Sequence, residues 1–527
     1  MTRLKMEVVA AVAAWALTSA CYNLPTVQDL VPGLCSGDLG SPQELREILS
    51  PGATVYLPDS EGFSNASIRW STLELPTVNL VVVPATEKDV SETVKYANKK
   101  NLPFLAFNSA HGAMTTLGKM KCGIEIYLNQ LNTIEIAEDE QTATIGGGTL
   151  SKAVTDALWD AGKQTGKFAS SGPRLLFRAV ARFQTTLTGT CECVSFMGPA
   201  LGGGHGWLQG HHGLVADQFV SMNIVLADGQ MQTVNDKSDL WWALIGAGHN
   251  FGIVTSVTTK IYDIRHRDWA IETIVFSGDK VGAVYDAANK IFLQDGTQPA
   301  DIINWSYWLN DPESGKPIII FYIIQEGVKA VDSKYTKTFH DIGPMAATPS
   351  SGIYKDLASW TGIALSSPPC QKAGMANPRF PIYLQKYDVD AQKKAFELFV
   401  NATQGSSPFK RSLFMFEGYP VQGVQEVESK STAFAFRDAR LLVAPLITYQ
   451  PDGPDLDKKA RDLGNQLRNI LHQATGQCVY RAYVNYAYGD ENPQVWYGSE
   501  PWRQSRLTAL KQKYDPSGKF SFFGPIA

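Results

Sequence analysis

Alternating apolar and polar blocks predict a regular series of strands and helices from about residue 79 onward. The apolar stretch 79–84 predicts a strand that ends at Pro84. Thr86 and Asp89 then have the spacing of a capping box, and the apolar residues after them recur along one face of a helix. A second apolar stretch at 102–107 follows, so the pattern predicts a β–α–β unit.

Short strands continue the pattern toward the middle of the chain. Apolar, β-branched stretches predict strands at 124–128, 133–137 and 143–147. Thr149 is predicted to cap a helix that runs to about Gly162. A hairpin around Asp228-Gly229 and a glycine-rich loop that enters a strand at 246–264 complete this first region.

The composition shifts near residue 266 and again near the C-terminus. Residues 266–475 alternate strand and helix patterns, which predicts a separate α+β domain. The end of the chain is loop-rich and aromatic, with a terminal helix at about 502–514. We predict a signal peptide at 1–20, an N-terminal segment at 21–75, a first domain at 76–265 with an insertion at 166–189, a second domain at 266–478 and a C-terminal segment at 479–527.

The N-terminus has the pattern of a secretory signal. Arg3 and Lys5 precede an apolar run at 8–20, which ends in small residues suited to cleavage. We expect a secreted, extracellular protein, and an uncleaved anchor is the alternative. Three N-x-S/T sites would be open to glycosylation in that compartment, at Asn65, Asn304 and Asn401.

The charge and the cysteine content narrow the function classes. The formal net charge is −4 and no long basic run occurs, so we expect no nucleic-acid partner. No segment after the signal is long and apolar enough to predict a membrane span. Seven cysteines leave at least one thiol unpaired, and their connectivity stays open. We predict no metal site.

A glycine run marks the most distinctive stretch of the chain. Gly202, Gly203 and Gly204 are consecutive, which lets main-chain N–H groups approach a ligand closely. Cys191 and Cys193 precede the run. Such a run by itself is typical of ordinary loops, so its meaning depends on other motifs.

Together, five stretches resemble the berberine-bridge-enzyme-like branch of the vanillyl-alcohol-oxidase flavoprotein superfamily. They are 81–97, 108–119, 190–218, 246–255 and the pair of motifs at 483–486 and 514–520. The resemblance implies an α+β, PCMH-type FAD-binding domain of two subdomains. It also implies a central α+β substrate domain, with the C-terminal segment returning to the FAD domain.

The resemblance implies that FAD is covalently bound. His111 falls at the histidyl-flavin position of the family and Gly112 follows it. Cys191 falls at the cysteinyl-flavin position, although a disulfide from Cys191 to Cys193 or elsewhere is the competing interpretation. Further positions that match FAD contacts are Gly146, Gly147, Gly148, Val194, Gly198, Gly202, Gly203, Gly204, Asn250, Phe251, Gly252, Ile253, Val254 and Asn485.

The chain departs from the family pattern near the flavin. Ser109 and Ala110 stand where two glycines usually precede the histidine. Ser195 replaces a common glycine, and Pro199 replaces a histidine of many plant relatives. Ser109, Ala110 and Ser195 are expected to crowd the edge of the flavin. Because Pro199 replaces the histidine, the oxygen-reactivity rule of the plant enzymes cannot be carried over to this chain.

The catalytic residues implied by the resemblance are tyrosines. Tyr486 matches the tyrosine often assigned as the base, and Tyr483 lies beside it. A phenol is neutral near pH 7, so it needs a neighbouring cation or proton acceptor to act as a base. A purely structural role for Tyr486 is the alternative.

The reaction implied is oxidation of a C–H bond next to a hydroxyl or amine. Hydride passes to FAD, and dioxygen reoxidises the flavin to give hydrogen peroxide. The substrate is a small molecule such as a sugar, an alcohol or a secondary metabolite. A cyclase or isomerase of the same fold, and a flavin-deficient protein without activity, are the alternatives.

One stretch does not fit the family. Residues 166–189 contain basic but no acidic residues and have no equivalent length in relatives. We predict that 167–189 are largely a retained intron in the gene model, with a genuine surface loop or amphipathic helix as the alternatives. If translated, the stretch would abut Cys191 and disturb the second flavin bond.

Overall fold

The computed structural model describes residues 42–164, 184–293 and 298–526. The predicted signal peptide lies outside these residues. In the described part of the chain, no helix has both the length and the apolar character needed to cross a bilayer.

The first sheet has four strands in the order β1-β2-β4-β3. The central strands β2 and β4 are parallel, and β3 is parallel to β4 on its outer side. The predicted β–α–β unit is therefore confirmed, with β4 between its two strands. The strands are β1 (Thr54–Tyr56), β2 (Val78–Val83), β3 (Phe104–Phe107) and β4 (Gly123–Tyr127).

Helices cover this first sheet and connect its strands. Helix α3 (Glu87–Lys99) has the predicted capping box between Thr86 and Asp89. The N-terminal segment contributes α1 (Pro42–Ile48), β1 and α2 (Glu61–Ala66), and β1 pairs with β2. The sequence predicted only an N-terminal segment at 21–75, and the structure shows that β1 of this segment belongs to the first sheet.

The second sheet is antiparallel and has the order β5-β6-β10-β8-β9. Its hairpin turns at Gly229, whose φ of 84° favours glycine. The strands are β5 (Ile134–Ile136), β6 (Thr142–Gly146), β8 (Phe219–Val225), β9 (Met231–Asn235) and β10 (Ile253–Lys260). A separate short pair joins β7 (Gln184–Thr185) to β11 (Tyr262–Asp263).

Helix α4 (Ser151–Gln164) begins later than predicted and is not capped by Thr149. The Thr149 hydroxyl is buried without a hydrogen-bond partner among the described residues, while its carbonyl accepts the Phe196 N–H. Burial under the segment after Cys191 thus prevents the predicted capping geometry. The other helices of this region are α5 (Met197–Leu201), α6 (Gln209–His212) and α7 (Asp239–Ala247).

The third sheet and its helices form the central α+β domain that the resemblance implied. Its seven strands have the order β15-β12-β14-β13-β17-β18-β16, and every pair is antiparallel. The strands are β12 (Asp268–Ser277), β13 (Ile302–Asn310), β14 (Pro317–Glu326), β15 (Ala346–Ile353), β16 (Ile382–Leu384), β17 (Leu413–Gly418) and β18 (Leu441–Leu446).

Helices pack against one face of this sheet, and the opposite face lines the candidate site described below. Phe414 and Phe416 of β17 point into a core shared with Phe396 and Phe399 of the helix above them. Alternate residues of the same strand therefore face the opposite side. The helices on the Phe414 face are α8 (Val281–Ala288), α9 (Ser333–Asp341), α11 (Val389–Thr403) and α13 (Pro454–Thr475). The short helices α10 (Leu357–Trp360) and α12 (Gln422–Glu426) pack into other clusters.

The C-terminal segment returns to the first sheet and its loops, as the resemblance implied. Thr115 donates its N–H to the Tyr488 carbonyl, and the Thr116 hydroxyl donates to the Phe522 carbonyl. The ring of Phe520 packs edge-on against Phe104 of the first sheet. This segment contains α14 (Pro493–Tyr497) and α15 (Pro501–Tyr514).

The predicted insertion is shorter at its C-terminal end than the sequence indicated. Residues 184–189 belong to the fold, because β7 pairs with β11, Leu187 is buried and the Thr186 hydroxyl donates to the Lys260 carbonyl. Residues 165–183 lie outside the described residues, so the retained-intron prediction applies to that part alone.

One predicted glycosylation site is wrong. Asn304 lies in the middle of β13, where its side chain is buried and bonded to Gln298. A glycan cannot reach a buried strand residue. Asn65 and Asn401 are exposed, so these two sites stay predictions.

Candidate active site

In the described part of the chain, one large cavity runs from the first and second sheets to the free face of the central sheet. Its volume is about 1490 Å³, more than the ~300–1,000 Å³ of an ordinary small-molecule site. It therefore has room for a cofactor and a substrate together. The predicted site residues on its wall are His111, Gly112, Gly147, Cys191, Val194, Gly198, Gly252, Ile253, Val254, Tyr483, Asn485 and Tyr486.

His111 is presented to the cavity by a strained turn. Ala110 has a φ of 55°, in the left-handed region, and its carbonyl accepts the Trp70 N–H. The His111 ring stacks on Trp70 with 5.0 Å between centroids. Burial lowers the pKa of His111 to about 3, with the charges of Arg379 and Lys372 adding to the effect. The imidazole is therefore neutral at physiological pH, and its Nε2 lies 3.3 Å from the Cys193 Sγ.

The cysteines divide into a disulfide and a free thiol. Cys193 is bonded to Cys370 of the central domain, and Cys191 is free. The competing interpretation, a disulfide from Cys191 to Cys193, is therefore wrong. The Cys191 Sγ lies 3.5 Å from the Cys193 Sγ, and burial raises the pKa of Cys191 to about 11. Cys191 is thus a neutral thiol on the cavity wall.

Of the three predicted glycines after β6, one lines the cavity. A Cβ on Gly146 or Gly148 would collide with the carbonyl of Leu131 or Leu128, so these two glycines allow close strand packing. Gly147 lines the cavity, and a Cβ there would collide with the Val254 carbonyl. Gly147 and Gly252 therefore leave the main chain without side chains at two positions of this wall.

The glycine run is behind the cavity wall rather than on it. Gly202 and Gly203 donate their N–H groups to the Pro199 and Ala200 carbonyls at the end of α5. A Cβ on Gly202 would collide with the side chain of Asn485. The prediction that this run cradles a ligand is wrong for these N–H groups. The run instead gives Asn485 room to reach the cavity.

Asn250 also has a structural position, and Phe251 beside it is fully buried. The Asn250 amide donates to the Tyr497 hydroxyl at 3.0 Å and the Gly524 carbonyl at 2.9 Å, and its oxygen accepts the Ile526 N–H. It fastens the C-terminal segment to the second sheet and does not line the cavity.

The phenol of Tyr486 meets a buried carboxylate. The Tyr486 hydroxyl donates to Glu417 Oε1 at 3.1 Å, and the Tyr419 hydroxyl donates to Oε2 at 3.1 Å. Burial raises the pKa of Glu417 to about 7, against the opposing effect of these hydrogen bonds and of Arg379. Burial, followed by Glu417, raises the pKa of Tyr486 well above its usual value. Tyr486 is a neutral donor whose proton has an acceptor.

Sequence reasoning missed Glu417, although its strand carried a signal. In β17 the apolar Phe414 and Phe416 alternate with Met415 and Glu417, so the acid shares a face with other cavity residues. Its cross-strand partner is Trp305 of β13, which pairs in turn with Tyr322 of β14. An isolated acid in an apolar strand is the pattern that could have revealed it.

Two buried histidines were also missed. His249 donates from Nε2 to the Asn485 Oδ1 at 3.1 Å, and burial lowers the pKa of His249 to about 4. The Asn485 amide then donates to the Pro199 carbonyl and the Tyr483 hydroxyl, at 2.8 and 2.7 Å. His205 stacks on Tyr419 and bonds Tyr383. A glycine directly precedes each of these histidines in the sequence, which was the available signal.

The residues present fit a flavin. The cavity is long, its FAD-domain end has a bare glycine-containing backbone, and a neutral imidazole and a thiol both face it. Asn485, fixed by three hydrogen bonds, offers a rigid polar edge. These are the groups that would hold and attach an isoalloxazine ring.

Comparisons with known proteins agree with this fit. A model of the FAD binding domain matches residues 78–175. The chain is 58% identical over 526 residues to the FAD-linked oxidoreductase chyH of Penicillium rubens, covering 99% of this chain and 100% of that protein. The chain belongs to the FAD-linked oxidoreductases. The predicted cofactor, FAD, and the predicted enzyme class are thereby confirmed.

Solved structures of this oxidoreductase fold support the predicted architecture. The Physcomitrella patens BBE-like 1 structure has a TM-score of 0.73 at 20% identity, covering 92% of this chain and 99% of its own. A carbohydrate oxidase from Microdochium nivale has a TM-score of 0.72 at 18% identity, covering 93% and 99%. The α+β, PCMH-type fold and the resemblance to the vanillyl-alcohol-oxidase superfamily are confirmed.

Proposed function

We propose that this FAD-linked oxidoreductase is a secreted oxidase of a small-molecule alcohol or amine, with FAD covalently bound through His111 and Cys191. FAD, when bound, accepts hydride from the substrate carbon, and dioxygen reoxidises it to give hydrogen peroxide. The observation that carries the proposal is the Tyr486–Glu417 pair, which lines the same cavity as His111 and Cys191.

Tyr486 and Glu417 supply the proton transfer that such an oxidation needs. The proton on the substrate oxygen or nitrogen passes to the Tyr486 oxygen as the Tyr486 proton passes to Glu417. The C–H bond loses its hydrogen as hydride, and the product is a carbonyl or an imine. A carboxylate with a pKa of about 7 is suited to accept and release this proton at neutral pH.

The chemical states of the two attachment residues favour His111 over Cys191. His111 is neutral, so one ring nitrogen is free to form a bond to carbon. Cys193 is occupied in its disulfide with Cys370, which leaves Cys191 as the thiol for a second bond. The raised pKa of Cys191 makes it the weaker nucleophile of the two. We therefore propose His111 as the principal attachment.

Secretion is supported by the cysteine chemistry and by the N-terminal pattern. The Cys193–Cys370 disulfide is typical of an oxidising compartment, and Cys122 is disulfide-bonded as well. A covalent bond would also retain the cofactor outside the cell.

The acceptor is tested by reoxidation of the reduced enzyme. The purified protein is reduced photochemically under argon and mixed with air-saturated buffer, while flavin absorbance and hydrogen peroxide are followed. We expect the yellow colour to return within seconds, with one peroxide formed per flavin. Slow reoxidation without peroxide would contradict an oxidase. Substrate turnover without oxygen consumption would instead support the cyclase or isomerase alternative.

A further inference from the structure

Arg379 is a cation on the cavity wall without an anionic partner. Its guanidinium lies over the rings of Trp70 and Tyr486, 4.5 Å from each centroid. Its Nε is buried without a hydrogen-bond partner, and no acceptor among the described residues pairs with its terminal nitrogens. Arg379 thus presents its hydrogen-bond donors to the cavity.

Other buried arginines of this fold are neutralised. Arg437 forms a bidentate pair with Asp217, at 2.8 and 2.9 Å. Arg69 is paired with Glu125, and Arg468 with Glu491. Leaving a half-buried cation unpaired costs free energy, which an anionic ligand would offset. Of the described arginines that line the cavity, Arg69 is paired and Arg411 is exposed, so Arg379 is the half-buried one that lacks a carboxylate partner.

The nearest carboxylate does not fill this role. Glu417 is engaged by two tyrosine hydroxyls, and burial keeps its pKa near 7. Its attraction to Arg379 is a minor influence on that pKa, and the two side chains form no ion pair. The N–H donors of Arg379 therefore stay available to a ligand that binds beside Tyr486.

The wall around Arg379 is aromatic. Trp305, Tyr307 and Tyr322 line the cavity from β13 and β14, and Tyr419 lines it just after β17. Flat rings favour planar ligands, and a guanidinium held against rings presents a fork that matches a carboxylate. A planar ligand with one acidic group would satisfy both features.

We propose that Arg379 binds an acidic group of the substrate, and that the substrate is a planar, aromatic or conjugated carboxylate. This inference rests on the proposed function in one respect, since it assigns the substrate to the cavity of Tyr486. Trp70 and Tyr486 hold the guanidinium in place before binding, which reduces the ordering cost of recognition.

The test uses benzoate and benzamide, which have the same ring and differ in charge. Binding of each to the full-length, flavin-loaded protein is measured by calorimetry at pH 7.5, with the visible spectrum recorded on the same samples. We expect benzoate to bind at least tenfold tighter than benzamide. R379Q should weaken benzoate binding at least tenfold and leave benzamide within twofold, because only the charged group uses the fork.

Two further variants control for folding and for general charge. R379K keeps the charge without the fork, so benzoate affinity should lie between those of the wild type and R379Q. R411Q removes an exposed cation from the same cavity wall and should change benzoate binding by less than threefold. An equal loss of benzoate affinity in R379Q and R411Q would show that the effect comes from the total positive charge of the cavity wall. This result would overturn the assignment.

The outcomes separate this inference from the proposed function. Equal affinity for benzoate and benzamide in the wild type, or unchanged benzoate binding in R379Q, would overturn the inference while reoxidation by dioxygen could still hold. Loss of flavin from R379Q with unchanged benzoate affinity would assign the arginine to the cofactor and also overturn it. Failed reoxidation with arginine-dependent benzoate binding would contradict the oxidase alone.

Discussion

At the residue scale, the chemistry of the site depends on one carboxylate in an apolar strand. Glu417 gives Tyr486 the acceptor that a neutral phenol needs, and burial sets its pKa near 7. The sequence identified the tyrosine by its motif but could not identify its partner, which lies 69 residues away on another element. The isolated acid in an apolar strand marks Glu417 as unusual, but its pairing with Tyr486 is set by packing and leaves no local pattern.

Replacing Glu417 with glutamine should separate catalysis from stability. We expect E417Q to lower kcat/KM at least about 100-fold, since removal of a positioned proton acceptor costs roughly 10²–10⁴-fold. The wild-type kcat/KM should rise with pH through about 7, because the ionised carboxylate accepts the proton, and this rise should disappear in E417Q. Both are measured with an alcohol or amine that reduces the flavin.

The same carboxyl also has a predicted effect on stability. Its pKa is higher in the folded protein than the usual 4.5, so its contribution to stability falls as pH rises from about 4.5 to 7. E417Q should therefore be at least as thermally stable as the wild type at pH 8. A lower thermal midpoint for E417Q at pH 8 would contradict this account.

The turn before His111 stores strain that glycine would relieve. Ala110 has a φ of 55°, which costs an alanine about 1–2 kcal/mol. A glycine would avoid this cost but would offset part of the benefit, because it loses more backbone entropy on folding. We expect Ala110→Gly to stabilise the protein by about 0.5–1 kcal/mol and to raise its thermal midpoint. Ala402→Gly, in helix α11, is the matched control and should lower the midpoint. A lower midpoint for Ala110→Gly would argue against the strained turn.

At the scale of elements, features that depend on neighbouring residues could be predicted from the sequence. Features that depend on tertiary packing could not. The capping box of α3 followed from Thr86 and Asp89, because cap and helix are neighbours in sequence. Thr149 has the same kind of signal, but the segment after Cys191 buries it, so its hydroxyl does not cap α4. The glycine run marked the site correctly, yet its function is to make room for Asn485.

Strand position also decides which glycosylation sites are usable. Asn304 is buried in β13, whereas Asn65 and Asn401 are exposed near the ends of helices. We expect the secreted protein to carry glycans at Asn65 and Asn401 alone among these three sites. Mass spectrometry after enzymatic deglycosylation would show a mass loss that N65Q and N401Q each reduce by one glycan. A glycan at Asn304 would contradict the buried strand, and an unglycosylated secreted protein would contradict the use of both exposed sites.

At the scale of the whole molecule, the site exists because three separate regions converge. The turn at His111 comes from the first sheet, Cys191 precedes α5, and Glu417 belongs to the central sheet. The C-terminal segment then adds Tyr486 and closes back onto Thr115 and Asn250. The family motifs predicted the FAD side of this arrangement. The substrate side, with Arg379 and Glu417, required the fold.

The central claim is that FAD is covalently attached in this cavity. The most direct measurement is the visible spectrum of the full-length protein after acid precipitation and washing. We predict that yellow flavin absorbance stays with the wild-type protein and with Cys191→Ala, falls in His111→Ala, where only the weaker Cys191 bond is left, and disappears from the double variant. Release of all flavin from the wild-type protein would contradict covalent attachment.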